Sequence, residues 1–312
     1  MCQQNALIES WRAAFSTEPG TSSPNFPFGV TSLAGGGGEG FPLWSDSLHT
    51  TYDAWLNCYV HRLRTPECED ISDDSLGLLR TAQAGGAGFF PADSNVFLGQ
   101  AFDLGEPCEC DTRALAPLGC WANGQCWGAG PYSLNATHNY QNSGIHPRGK
   151  LQIGQRLARG YLALERGAVA PVPKLAGCRL DALGNLTLTF DAALLGGEAV
   201  SVQTGAPGLS PMQVRTGPPT NVSSGWVRAT AILVVNSTTV AVVLPPGTGA
   251  IDGVRYAWAD YPCCPGQNAS TAFCPSAACP IITSGSAEPA VPFYASIEGG
   301  RCVCEAPWVC DA

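Results

Sequence analysis

The sequence predicts an α/β fold in which a parallel-sheet domain over residues 1–168 precedes an antiparallel β-sandwich-like domain over residues 169–312. Three observations predict it. Short apolar runs alternate with helical stripes in the first half, which implies a parallel sheet covered on both faces. Pro171-Val172-Pro173 then marks a boundary. Beyond it, β-branched runs separated by Gly, Pro and Asn replace any long helical period, as in a sandwich.

Taken in order, Ala6 to Phe15 reads as a helix with Leu7, Trp11 and Ala14 on one face, stopped by Pro19-Gly20. Phe26 to Leu33 is a short strand, and Gly35 to Gly38 a flexible link. Ser47 to Arg64 forms a helix whose Leu48, Tyr52, Trp55, Tyr59 and Leu63 make a core stripe, and Asp74 to Gln83 forms another. Asp93-Ser94-Asn95 reads as a turn leading into a strand over Val96 to Leu104, because Asp, Ser and Asn favour turns through local hydrogen bonds. Ser94 therefore precedes a strand, where a nucleophilic serine would follow one.

Residues 107–140 form a disulfide-rich insert holding Cys108, Cys110, Cys120 and Cys126. Its Trp121, Trp127 and Tyr132 either stack on a sugar ring or fill the insert's own small core. Leu151 to Arg166 is a helix, with Ile153, Leu157, Tyr161 and Leu164 at helical spacing. In the second domain Asn185 to Phe190, Ala231 to Val235 and Thr239 to Leu244 are strands, and the tail is rich in cysteine.

The loop Ser143 to Lys150 sets His146 directly before the helix that opens at Leu151, with Pro147 suited to a first helical turn. An imidazole held this way can take a proton from a hydroxyl and return it to a leaving alcohol near neutral pH. Spacing alone leaves open a second reading, a surface or helix-capping histidine.

Composition bounds the partners. With 16 basic against 25 acidic residues and a formal charge of −9, the chain has no basic footprint for nucleic acid, and no run is long and apolar enough to span a membrane. Hydrophobic residues make up 45% of the chain, enough for a real core despite 37 glycines and 25 prolines. Fifteen cysteines against four histidines fit disulfides better than zinc sites, and no two Cys-x-x-Cys pairs face each other. Cys108 and Cys110, Cys263 and Cys264, and Cys302 and Cys304 lie too close to bridge without strain, so each reaches elsewhere. Five sequons, at Asn135, Asn185, Asn221, Asn236 and Asn268, add to an extracytosolic reading.

Four blocks carry a family resemblance. Ile145-His146-Pro147-Arg148-Gly149-Lys150, with Gly154-Gln155-Arg156-Leu157 behind it, is similar to the catalytic-histidine block of the sialate O-acetylesterase family, a branch of the SGNH hydrolases. Ala6 to Arg12 with Phe26 to Val30, Leu79-Arg80-Thr81-Ala82-Gln83, and Gly253 to Cys263 resemble further family segments in the same order. The resemblance implies a partial SGNH-type, flavodoxin-like parallel-sheet domain followed by the β domain. It also implies hydrolysis of O-acetyl esters on sialic acid or another acetylated glycan, with His146 as general base and then acid. Arg80 and Gln83 would bind substrate, the arginine through the sialic acid carboxylate; the sequence alone equally allows Arg80 to be a surface cation. No metal and no organic cofactor is implied. A secreted or lysosomal location follows from the family, the cysteines and the sequons.

The family's nucleophile sits in a Gly-Gln-Ser-type motif and its oxyanion residues in a Gly-Glu-Ser/Asn-type motif, both upstream of the Ala6 to Arg12 segment. Neither motif occurs in the 312 residues, and Ser143 stands where many SGNH enzymes carry an aspartate. Nor does a secretory signal follow Met1. The expectation is thus an N-terminally incomplete copy, inactive alone; the alternative is a non-catalytic glycan-binding or structural remnant.

Overall fold

The computed structural model describes residues 2–20, 22–32, 77, 80, 83, 95–104, 150–203, 211–217, 225–258, 263 and 279–303. In chain order these form α1 (Cys2–Phe15), β1 (Phe28–Thr31), β2 (Val96–Gly99), α2 (Lys150–Glu165), β3 (Leu175–Leu180), β4 (Leu186–Phe190), β5 (Val200–Val202), β6 (Met212–Thr216) and β7 (Trp226–Arg228). They continue with β8 (Ala231–Asn236), β9 (Thr239–Val243), β10 (Ile251–Tyr256), β11 (Ile281–Thr283), β12 (Phe293–Glu298) and β13 (Arg301–Val303).

The β-branched runs do what their period dictates. In β4, Leu186, Leu188 and Phe190 point one way and are buried, as are Val240 and Val242 of β9 beside them. At the far side of the same sheet Met212 and Val214 of β6, Val254 and Tyr256 of β10, and Phe293, Ala295 and Ile297 of β12 are buried in turn. Each of the Val, Leu, Ile, Phe and Met side chains among them contributes about 1.5–3 kcal/mol relative to exposure. All belong to one apolar cluster, although they lie on strands far apart in the order β7-β6-β10-β12-β13-β3-β4-β9-β8. A flat sheet could not bring them together, so the nine strands curl around a common core. A small antiparallel pair, β11 with β5, adds Ile281 and Val200 to it.

The opposite face of β6, β10 and β12 is also covered. Arg255 donates through Nε to Gln213 Oε1 at 2.7 Å, and its guanidinium lies 4.1 Å from the centroid of Trp226. Arg215 donates to Asp252 Oδ1 and to the Tyr294 hydroxyl, both at 2.8 Å. Alternation therefore gives these strands a buried apolar face and an arginine–aromatic face on which Gln213, Arg215 and Arg255 are buried and Tyr294 is half-buried.

The expected α/β class is overturned. Among the described residues the structure is mostly antiparallel β, with two complete helices and a parallel sheet of only two strands, β1 and β2, so it is not an SGNH-type, flavodoxin-like domain. Nor do the described strands of the β region form two stacked sheets; nine of them make the one curled sheet, with the β11 and β5 pair beside it. The physical reason lies in strand length and burial. β1 and β2 have four residues each and bury only Val30 and Gly99 fully, whereas strands covered on both faces by helices are near-continuous apolar runs.

Two helix faces also differ from expectation. On α1 it is Ile8 that enters a small core with Val30, while Leu7 and Trp11 are about half exposed, the indole packing edge-on to Phe28. On α2 the buried positions include Arg156 and Gly160, and Tyr161 is exposed. The expected helix over Ser47 to Arg64, the insert at 107–140 and Ser94 lie outside the described residues. Cys178 bridges Cys302, and Cys263 bridges Cys279, so neither Cys263 nor Cys302 pairs with its close neighbour. Disulfides fit an oxidising compartment. No helix among the described residues is long and apolar enough to cross a membrane.

Candidate functional site

The polar groups that converge do so past the carboxyl ends of the parallel pair. β1 and β2 pair in register from Phe28 with Val96 to Thr31 with Gly99. The chain then turns through Ser32 on one side and Gln100 to Asp103 on the other, and Ser32 Oγ accepts from the Ala101 amide at 3.0 Å. α2 lies across the pair antiparallel to it. A Cβ on Gly160 would come within 2.6 Å of the Phe97 ring, and one on Gly99 within 2.7 Å of Leu157, so glycine is what lets helix and strand approach this closely. This orientation puts the start of α2, at Lys150, on the carboxyl side of the strands.

Arg156 reaches from α2 into that turn. Its guanidinium forks onto Asp103, Nη1 to Oδ1 at 2.6 Å and Nη2 to Oδ2 at 2.7 Å, and Nη1 also donates to the Gln100 carbonyl at 2.6 Å. Both side chains are buried. Gln100 Nε2 donates to the Pro289 carbonyl at 2.6 Å, while its buried Oε1 accepts no hydrogen bond among the described residues. Glu288 completes the cluster from the β region, accepting from Arg159 Nη2 at 2.9 Å, with Arg156 Nε at 3.6 Å.

Burial pushes the Glu288 carboxyl up to about 7, outweighing the pull of Arg156 and Arg159, and the Asp103 charge adds to the rise. The groups facing it are these two arginines from α2, Asp103 from the turn after β2, and the neighbouring Thr283 hydroxyl, which accepts from the Glu288 amide. Because the folded value lies above the ordinary 4.5, Glu288 favours the folded state most when protonated. That contribution is complete below about 4.5 and falls away as pH rises to about 7. Glu288→Gln should therefore flatten this part of the stability profile; denaturant midpoints taken across that range for both proteins check it, and parallel curves would contradict it.

Of the residues the sequence singles out, Arg80 is fully buried. Its Nη1 donates to the Ala257 carbonyl at 3.4 Å, and its guanidinium stands 5.8 Å from the centroid of Phe102, next to Asp103. Gly77 and Gln83 are helical like Arg80, Gln83 is half-buried, and Gly77 lies against the ring of Trp258. Arg80 of one resembling block and Ala257 of another, 177 positions apart, thus meet. His146 lies outside the described residues, four positions before Lys150.

Sequence reasoning missed Asp103, Gln100 and Glu288. Arg156 offered a signal, since it sits between Ile153 and Gly160 on the helix face that packs on the strands, where an arginine needs a buried partner. Nothing in the sequence said that the partner would be Asp103.

No protein-family model and no curated protein matches the chain. Among solved structures it is similar to a novel carbohydrate acetylesterase from Xanthomonas citri, with a TM-score of 0.52 and 18% identity over 94% of this chain and 44% of that one. The chain thus spans less than half the length of that protein. The likeness is one of fold.

Proposed function

We propose that the chain contributes to hydrolysis of O-acetyl esters on a carbohydrate, with O-acetylated sialic acid as the substrate class. The observation that carries this reading is the fold likeness to a carbohydrate acetylesterase, which extends over nearly the whole chain. The motif blocks around His146, Arg80 and Gly253 support the finer assignment. A location in the secretory route, secreted or lysosomal, is supported by the two disulfides.

In this reading His146 takes the proton of a serine hydroxyl as that oxygen attacks the acetyl carbonyl, then returns it to the departing sugar hydroxyl. The reading requires a serine that no motif marks, since no Gly-Gln-Ser-type motif occurs in these 312 residues. Gln83, half-buried, contacts the substrate. Arg80, fully buried, is a positioning residue that ties the Gln83 segment to Ala257.

A second reading, glycan binding without turnover, is favoured by that missing motif. Acetate release from an O-acetylated sialoside, measured for the native chain and for His146→Ala, tests the first. We expect a fall of about 10²–10⁴-fold, the usual contribution of a general acid–base. Release unchanged by the substitution would overturn the assignment of His146. No release from either protein, with retention on an immobilised acetylated sialoside, would select the second reading, and loss of both properties would end both.

A further inference from the structure

The edge of the curled sheet presents an apolar surface beside a sequon. Among the described residues β8 is the last strand in the sheet order, pairing with β9 on one side. Its Leu233, Val234 and Val235 are 55%, 50% and 55% exposed, and a register shift between Val234 and Asn236 breaks the alternation that would have hidden one of the valines. The run Ala231-Ile232-Leu233-Val234-Val235 carries no charge and no proline, the composition that makes an open edge prone to pairing with another chain.

Asn236, the next residue, opens the sequon Asn236-Ser237-Thr238 in the turn between β8 and β9. It is exposed, and its Oδ1 accepts from the Thr238 amide at 2.9 Å and from the Thr238 hydroxyl at 3.2 Å. This turn spans two residues, so it can form in a nascent chain before any sheet exists. In the folded protein it is held from behind, where Ser237 O accepts from the Val200 amide and Thr238 O from the Phe190 amide, both at 2.8 Å. Asn185, the other sequon asparagine among the described residues, differs. Its Nδ2 donates to Asp181 Oδ2 at 2.8 Å, and the Thr187 hydroxyl of its sequon donates across the hairpin to Arg179 O.

We infer that Asn236 is an N-glycosylation site and that its glycan covers the apolar edge formed by Leu233, Val234 and Val235. The donor is a lipid diphosphate-linked oligosaccharide. The bond from the sugar's anomeric carbon to the diphosphate oxygen breaks, a bond from that carbon to Asn236 Nδ2 forms, one amide proton is lost and the lipid diphosphate departs; nothing is oxidised or reduced. A bulky hydrophilic group at this end of β8 then does what charged residues do on other edge strands.

The full chain, expressed behind a secretory leader in a eukaryotic host, allows a direct test on total protein, soluble and insoluble together. Trypsin releases Ala229 to Arg255, a peptide that holds this sequon alone. After peptide N-glycosidase in heavy-oxygen water, most of that peptide should carry labelled aspartate at position 236; Thr238→Ser should keep the label and Thr238→Ala lose it. Recovery of the peptide chiefly with unlabelled Asn236 would overturn the site. For the covering role, Asn236→Gln should sediment as larger species at concentrations where the glycosylated chain does not, and identical sedimentation would overturn that role.

Discussion

Replacing Arg156 by leucine should destabilise the fold by about 3–5 kcal/mol, because it strands a carboxylate that has no route to water. The Asp103 side chain is fully buried and takes both its oxygens' bonds from the Arg156 guanidinium. Burial works against the arginine's own charge, yet the hydrogen bond and charge of Asp103 more than restore it, and the guanidinium is held above its ordinary value. The pair is thus balanced, and its loss is felt through what is left behind. The same substitution removes the donor that serves the Gln100 carbonyl and one of the cations near Glu288. The double variant Arg156→Leu with Asp103→Leu removes the orphaned charge as well, so it should be more stable than Arg156→Leu alone. Urea unfolding of the parent, both single variants and the double variant measures this; a double variant losing the sum of the two single losses would refute the coupling.

The position of this ion pair shows what a one-dimensional reading reaches. Elements with a strong local period were legible: α1 and α2, and the strands β4, β8 and β9, whose β-branched runs could be nothing else. Sheet size was not. Alternation of short apolar runs with helical stripes says that strands and helices follow one another, but not how many strands join a sheet, and among the described residues only β1 and β2 pair in parallel. The contacts that place the candidate site are long-range. Asp103 and Arg156 are 53 residues apart, and Arg80 and Ala257 are 177 apart. The buried end of such a pair looks in sequence like any surface charge. The shared core of β4, β9, β6, β10 and β12 was equally invisible, because curling brings the paired strands β4 and β9 against β6, β10 and β12, with which they do not pair.

That curling makes one seam decisive. In the nine-stranded order, β7-β6-β10-β12-β13 and β3-β4-β9-β8 are two groups with good internal pairing, but β13 meets β3 through a single residue pair, Arg301 with Arg179. One further backbone bond, Leu180 N to Gly300 O at 2.8 Å, crosses beside it. Cys178 on β3 and Cys302 on β13, 124 positions apart in sequence, are joined at this seam. A crosslink closing so long a loop removes far more freedom from the unfolded chain than a short one: about 5 kcal/mol in the chain-entropy estimate, against about 3 for a loop of the size Cys263 and Cys279 close. It also substitutes for ladder hydrogen bonds that the seam lacks. Converting Cys178 and Cys302 to serine should therefore lower stability by about 2–5 kcal/mol, and by more than the same change at Cys263 and Cys279, which are 16 positions apart. Hydrogen exchange should show amides of β3 and β13 losing protection before those of β10 and β4. If opening the short loop proves the more damaging, or if β3 and β13 stay as protected as the sheet on either side, the disulfide does not hold the two groups together, and the core alone does.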